Sequence, residues 1–179
     1  IYSTPGHKKY YVVTDALENF ISKAGQHIEI LKLEEFGSAL FIDSELQVAE
    51  KDEKKYSGQF VSSALNLKKD NSSAAIIGGG DGGVARELLS KGLDLIDWYE
   101  LDPEVVKVCQ KHLPKICGDT KANNKVKTYW GDAFESIKKV KDSKYDKIFV
   151  DLNDDQFCID LAAKNMKNLK RILKPEGVL

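Results

Sequence analysis

The run Ala74-Ala75-Ile76-Ile77-Gly78-Gly79-Gly80-Asp81-Gly82-Gly83 passes without a break into Val84-Ala85-Arg86-Glu87-Leu88-Leu89. Its short apolar start describes a strand buried on both faces. The glycines end that strand, and helical spacing follows at Val84, Leu88 and Leu89. Glycine serves where the backbone turns with positive φ or where a ligand must come close to the main chain. Strand, glycine turn and helix together form the nucleotide corner of an open α/β sheet, with its site beyond the strand's carboxyl end. Gly78, Gly80 and Gly83 fit the G-x-G-x-x-G spacing, a weak signal alone. Asp81 inside the run strengthens it, as does Glu100, which closes the next apolar segment at the distance of a ribose-binding acid. The competing reading is a tight turn with no ligand.

Downstream, strands and helices alternate, which describes a parallel sheet with crossover helices. Asp102-Pro103 is a cap followed by a first helical residue, and Val105, Val106, Cys109 and Leu113 then give one apolar face that Pro114 ends. Strands are expected at Val126–Trp130 and at 145–150, a helix at Ala133–Ile137, and a last helix at 159–173. Lys174-Pro175-Glu176-Gly177 reads as its terminator and Val178-Leu179 as the opening of a fifth strand, so the sheet is expected to lack its final strands.

Upstream, the chain reads as β-rich. A strand is expected at 9–13, another at His27–Leu33 from its near-strict alternation, and shorter ones at 39–43 and 46–48, which suggests a meander. Residues 50–66 carry helical spacing at Tyr56, Phe60 and Ala64, with Gly58 arguing against a regular helix, and 68–73 is a polar loop.

The formal net charge is -1, from 27 basic and 28 acidic residues, which gives no footprint for nucleic acid. No apolar run has the length of a membrane span. The lysines at 51, 54 and 55, and at 138, 139 and 141, are interleaved with acids and read as solvated faces. Three cysteines without metal-ligand spacing fit a reduced, cytoplasmic protein. Cys109 reads as core. The histidines at 7, 27 and 112 stand apart from the glycine and aspartate motifs and read as ordinary surface or strand residues.

Successive strands end on an acid: Asp81, Glu100, Asp132 and Asp151. These acids should line one crevice along the carboxyl edge, although capping of the next helix is the common use of Asp there. Asp151-Leu152-Asn153-Asp154-Asp155 adds a cluster of carboxylates suited to magnesium or to a polycation, and a polyamine is the preferred reading.

The box Gly78-Gly79-Gly80-Asp81-Gly82-Gly83, followed by Glu100-Leu101-Asp102, Gly131-Asp132 and Asp151-x-x-Asp154, resembles the spermidine/spermine synthase family of aminopropyltransferases. Gln26-His27-Ile28 and the run from Gln47 to Glu53 with Tyr56 resemble the same family upstream. The resemblance implies a Rossmann-like, methyltransferase-type α/β domain at 53–179 behind a small N-terminal β-strand domain at 1–52. It implies decarboxylated S-adenosylmethionine as co-substrate, with no permanently bound cofactor and no metal. Methylthioadenosine is the coproduct, a polyamine is the acceptor, and a homodimer or higher homo-oligomer is the assembly.

Carried over by the resemblance, Glu100 holds the donor's ribose, Asp132 with Ala133 beside it the adenine, Gln26 the sulfur end and Asp81 the ammonium. Gly78 and Gly80 let the donor approach the main chain. Gln47, Tyr56 and Asp154 line the amine channel, and Asp151 binds the acceptor and is the catalytic base. Tyr56 and any nearby tryptophan face would hold cationic or methylene parts of the amine. Ser57-Gly58 stands where the family's spermidine branch has His-Glu, and Leu152 follows Asp151, which leans the chain toward the spermine branch. Two other readings stand beside this one: a small-molecule methyltransferase using intact S-adenosylmethionine, and a catalytically silent relative that binds nucleoside or polyamine.

Overall fold

The computed structural model describes residues 2–4, 7–66 and 72–179. Tyr2–Thr4 (β1) pairs antiparallel with His7–Lys9 (β2). Val13–Ile21 (β3), His27–Leu33 (β4), Gly37–Ile42 (β5) and Glu45–Ala49 (β6) form a four-stranded antiparallel sheet in sequence order. The helix Glu53–Asn66 (α1) leads to the second part of the chain. There Ser73–Gly78 (β7), Gly83–Ser90 (α2), Leu95–Glu100 (β8), Pro103–His112 (α3), Pro114–Cys117 (α4) and Val126–Trp130 (β9) follow in turn. Ala133–Ile137 (α5), Tyr145–Asp151 (β10), Gln156–Ile172 (α6) and Leu173–Val178 (β11) complete it. The five strands of this sheet are parallel and run in the order β11-β10-β7-β8-β9.

Alternation along β7 explains the layering, because successive side chains of a strand point to opposite faces. Ala74 and Ile76 join Val61, Val84, Leu88, Trp98 and Val106 in one core. Ala75 and Ile77 join Tyr99, Phe134, Ile137, Tyr145, Leu169 and Ile172 in the other. With both faces covered by helices, the interior of β7 from Ala74 to Ile77 must be apolar, as its sequence is. A third core joins the antiparallel sheet to α3 and α4: Ile28, Ile30, Leu40, Ile42 and Val48 pack on Val105, Val108, Cys109, Leu113 and Ile116. Polar contacts reinforce that seam, with Glu18 of β3 accepting from Lys111 Nζ at 2.6 Å and facing His112 Nε2 at 2.8 Å.

The α/β architecture and its antiparallel companion agree with the sequence reading, and several details differ. The strand expected at 9–13 is absent; β2 ends at Lys9 and β3 begins at Val13. β3 itself left little trace in the sequence, because it is an exposed edge strand carrying Asp15, Glu18 and Asn19, and edges favour charge over apolar alternation. Gly58 does not interrupt α1, whose buried face is formed by Glu53, Ser57 and Val61. α6 begins at Gln156 rather than 159, since Asp155 Oδ1 accepts from the Cys158 N–H at 2.7 Å and caps the earlier turn. Residues 174–177 are a bulge inside β11: Leu173 pairs with Tyr145 and Val178 with Lys147. The polar loop read at 68–73 falls mostly outside the described residues, and its last residue, Ser73, opens β7.

Chain order reverses beside β7, which has β8 on one side and β10 on the other. In an open parallel sheet this reversal opens a crevice at the strands' carboxyl ends. Register brings Gly78 level with Asp151, and Glu100 level with Trp130.

Candidate active site

A cavity of about 640 Å³ lies at that reversal, walled on its far side by Leu40, Ile42 and Leu46 of the antiparallel sheet. Gly78, Gly80, Asp81, Glu100, Asp132, Ala133, Asp151 and Asp154 all line it. So do Gln26, Gln47 and Tyr56, which reach it from before β4, from β6 and from α1. The residues to which the resemblance gives donor, acceptor and base roles thus meet in one place. Their roles there are a separate matter from their meeting.

Two glycines show why the turn admits no side chain. A Cβ on Gly78 would stand 2.2 Å from the Asp151 carbonyl oxygen, and φ there is +84°. A Cβ on Gly80 would stand 2.8 Å from Val105 Cγ1 and 3.2 Å from Glu100 Oε2. The turn is fastened from behind by Trp98, whose indole N–H donates to the Gly78 carbonyl at 2.7 Å, and by the Gly79 N–H, which donates to the Asp151 carbonyl at 2.8 Å.

The acids differ in their surroundings. Glu100 is 7% exposed and accepts from the Asp102 N–H at 2.8 Å. Burial pushes its carboxyl up to about 7, against the pull of that N–H. Asp151 is likewise raised to about 7, first by burial and then by the negative charge of Asp81, while the Tyr56 hydroxyl, donating to Oδ1 at 3.2 Å, pulls the other way. Asp81 accepts from the Gly83 N–H at 2.6 Å, and burial raises its carboxyl too. Tyr56 is held protonated by burial and by Asp151. The pocket therefore concentrates carboxylates that an entering cation would stabilise in their charged form.

Asp132 lines the cavity and also caps α5, accepting from the Phe134 N–H at 2.8 Å and the Glu135 N–H at 3.1 Å. Asp102 is a cap alone, accepting from the Glu104 N–H at 2.8 Å. Gln47 donates from Nε2 to the Glu45 carbonyl at 3.2 Å.

The model for the spermine/spermidine synthase domain matches residues 53–179. The chain belongs to that family. Among relatives of the spermine/spermidine synthase family, a polyamine aminopropyltransferase of Prochlorococcus marinus (strain MIT 9301) is 36% identical over 157 residues, covering 86% of this chain and 56% of that protein. One from Korarchaeum cryptofilum (strain OPF8) is 32% identical over 169 residues, covering 94% of this chain and 52% of that one. The chain spans about half the length of the curated relatives it matches. Of solved structures, a spermidine synthase from Thermotoga maritima aligns with TM-score 0.87 at 22% identity, over 97% of this chain and 59% of that one. A spermidine synthase in complex with the transition state analogue AdoDATO aligns with TM-score 0.82 at 22% identity, over 92% of this chain and 55% of that one. These likenesses establish the Rossmann-like fold; the spermine branch is not distinguished from the spermidine branch.

The sequence reading missed the supports. Trp98 is fully buried and holds the family's glycine turn rather than a substrate, and Trp130 does not line the cavity, so the aromatic faces available to a ligand include Tyr56, Tyr11 and Phe157. Glu53 is 2% exposed and takes a fork of hydrogen bonds from Arg86, at 2.8 Å and 2.9 Å. An acid and a base in unrelated helices carry no periodic signal that would pair them. Ser57, whose identity leaned the chain toward one branch, is buried and has its Oγ toward Gly83 rather than lining the cavity.

Proposed function

We propose that the protein is an aminopropyltransferase of polyamine biosynthesis, moving the aminopropyl group of decarboxylated S-adenosylmethionine to the amine of a polyamine. The observation that carries this reading is the convergence of Asp81, Asp151 and the Tyr56 hydroxyl where the sheet order reverses. The acceptor amine, with a pKa of about 10 like that of lysine, arrives protonated. Asp151 holds the ammonium, and its carboxylate, raised toward neutrality, is a better proton acceptor than an ordinary one. It takes the proton, the freed lone pair forms a bond to the methylene next to the sulfonium, and the carbon–sulfur bond breaks with its electrons going to sulfur. Methylthioadenosine leaves as a neutral thioether, so no general acid is needed.

In this proposal Glu100 holds the ribose, Asp132 and Ala133 the adenine, Gln26 the sulfur end and Asp81 the donor's ammonium, with Gly78 and Gly80 giving close approach. Gln47, Tyr56 and Asp154 line the acceptor path. Residues 1–52 form one unit and 53–179 the other, with the substrates between them. Spermidine is the favoured acceptor and putrescine the next, on the strength of Leu152 beside Asp151. The working form is a cytoplasmic homodimer or larger homo-oligomer. Among the described residues no helix is long and apolar enough to cross a membrane.

Calorimetric titration tests the donor assignment. Decarboxylated S-adenosylmethionine carries an ammonium that Asp81 attracts, whereas S-adenosylmethionine adds a carboxylate that Asp81 repels. At 4 Å and an effective dielectric near 20 that repulsion is on the order of 4 kcal/mol before relaxation. Preference for the decarboxylated donor by about tenfold or more is expected. Equal affinities would overturn the aminopropyl reading and favour a methyltransferase.

A further inference from the structure

Arg86, on the helix that follows the glycine turn, ties three helices together. Its Nη2 donates to Glu53 Oε1 at 2.8 Å and to Glu87 Oε1 at 2.7 Å. Its Nη1 donates to Glu53 Oε2 at 2.9 Å, to the Ile116 carbonyl at 2.6 Å and to the Lys115 carbonyl at 3.2 Å. One planar fork therefore joins α2 to the start of α1 and to α4, a geometry that lysine does not reproduce. The point a methyl group on Gly83 would occupy lies 2.7 Å from Glu53 Oε1 and 2.9 Å from Asp81 Oδ1. Glu53, Ser57 and Asp81 therefore converge on a gap that only glycine leaves open, and Arg86 neutralises buried Glu53. Glu53 also precedes Tyr56 by one helical turn, so the same fork fixes the helix that delivers the Tyr56 hydroxyl to Asp151.

We infer that Arg86 is a positioning residue for substrate selection: by compensating buried Glu53 it keeps Asp81 available, as a carboxylate, to the ammonium of the donor. This rests on the donor assignment above. The groups facing Asp81 are Glu53 and Tyr56 from α1, Arg86 from α2, Glu100 from β8, Cys109 from α3, Cys117 from α4 and Asp151 from β10. Arg86 is the cation of that set. Removing it leaves buried Glu53 uncompensated, and Asp81 then holds its proton to higher pH.

The test compares two probes across pH by calorimetry: decarboxylated S-adenosylmethionine, which has the ammonium, and methylthioadenosine, which lacks it. The two probes share the nucleoside, so their affinity ratio reports the aminopropyl ammonium and the sulfonium charge together, and the displacement of its pH dependence between variants reports Asp81. In Arg86→Gln the pH at which the charged probe gains its advantage should rise by about one unit or more, corresponding to about tenfold in proton affinity. In the double variant Glu53→Gln/Arg86→Gln it should return toward the wild-type value, and in Glu53→Gln alone it should fall. A purely structural role would weaken both probes alike and leave that pH unmoved in every variant, which overturns the proposal. If Arg86→Gln does not fold, Glu53→Gln carries the test by itself: a downward displacement supports the proposal and none overturns it. Absence of any preference in the wild type would instead defeat the donor assignment, and this inference with it.

Discussion

The Tyr56 hydroxyl donates to Asp151 Oδ1 at 3.2 Å, although the two residues stand 95 positions apart in the chain. The contact joins α1 to the carboxyl end of β10, and the Gly79 N–H holds the Asp151 carbonyl from the other side at 2.8 Å. Asp151 is thus fixed at both its main chain and its side chain, as the proposed role of base requires.

Asp151→Asn should lower kcat by about a hundredfold or more while leaving donor affinity nearly unchanged. Steady-state rates with a polyamine acceptor, paired with calorimetric titration of the donor, check both halves. Turnover close to the wild-type value would reduce Asp151 to a structural residue.

The pH profile should carry the same signature. A carboxyl raised to about 7 must lose its proton before it can accept one, so kcat/KM should climb through that pH and continue upward as the free amine fraction grows. Because the Tyr56 hydrogen bond favours the charged carboxylate, Tyr56→Phe should move the acidic limb to higher pH. Added salt should lower kcat/KM, since ions screen the attraction of the acidic cleft for a polycation. A flat, salt-insensitive profile would contradict the cationic acceptor.

Stability should run opposite to activity. The carboxyl of Asp151 is raised in the fold above its ordinary value of about 4, so between about 4 and 7 the folded state binds more protons than the unfolded. Stability from this group is therefore full below that window and lost as pH rises through it. Even a single pH unit of that difference is about 1.4 kcal/mol, so Asp151→Asn should melt roughly 3–5 °C above wild type at pH 8. At pH 3, where the carboxyl is neutral in both the folded and the unfolded state, the two should melt together. Thermal unfolding followed at both pH values decides it.

Two glycines should respond in opposite directions. Gly78→Ala drives a Cβ toward the Asp151 carbonyl at 2.2 Å with φ at +84°, so it should abolish donor binding and destabilise the fold by several times the ordinary cost of a surface change. Gly58→Ala meets open space inside α1 and should stabilise by about 0.5–1 kcal/mol. Denaturant midpoints for both variants test the pair.

Much of this was legible in the residues. The glycine box, the acids at successive strand ends and the Asp102-Pro103 start of α3 are local signals, and each landed where expected because strand ends and helix caps are set by a few adjacent residues. β3 was not legible, since its pairing with β4 places charged residues on an exposed edge. Neither was the Arg86–Glu53 fork, nor the Trp98 indole beneath Gly78, because such contacts exist only after distant elements pack. Residues 174–177 misled for a related reason: their turn-like composition serves a bulge within β11, where Glu176 adopts φ 61° and its neighbours resume pairing at Val178.

The most direct test is the mass of the product. Purified protein is incubated with decarboxylated S-adenosylmethionine and, separately, putrescine or spermidine, and the amines are read by mass spectrometry. A polyamine heavier by one aminopropyl group is expected together with stoichiometric methylthioadenosine, with spermidine converted faster than putrescine. An unchanged amine with the decarboxylated donor, alongside a methylated product when S-adenosylmethionine is supplied, would contradict it.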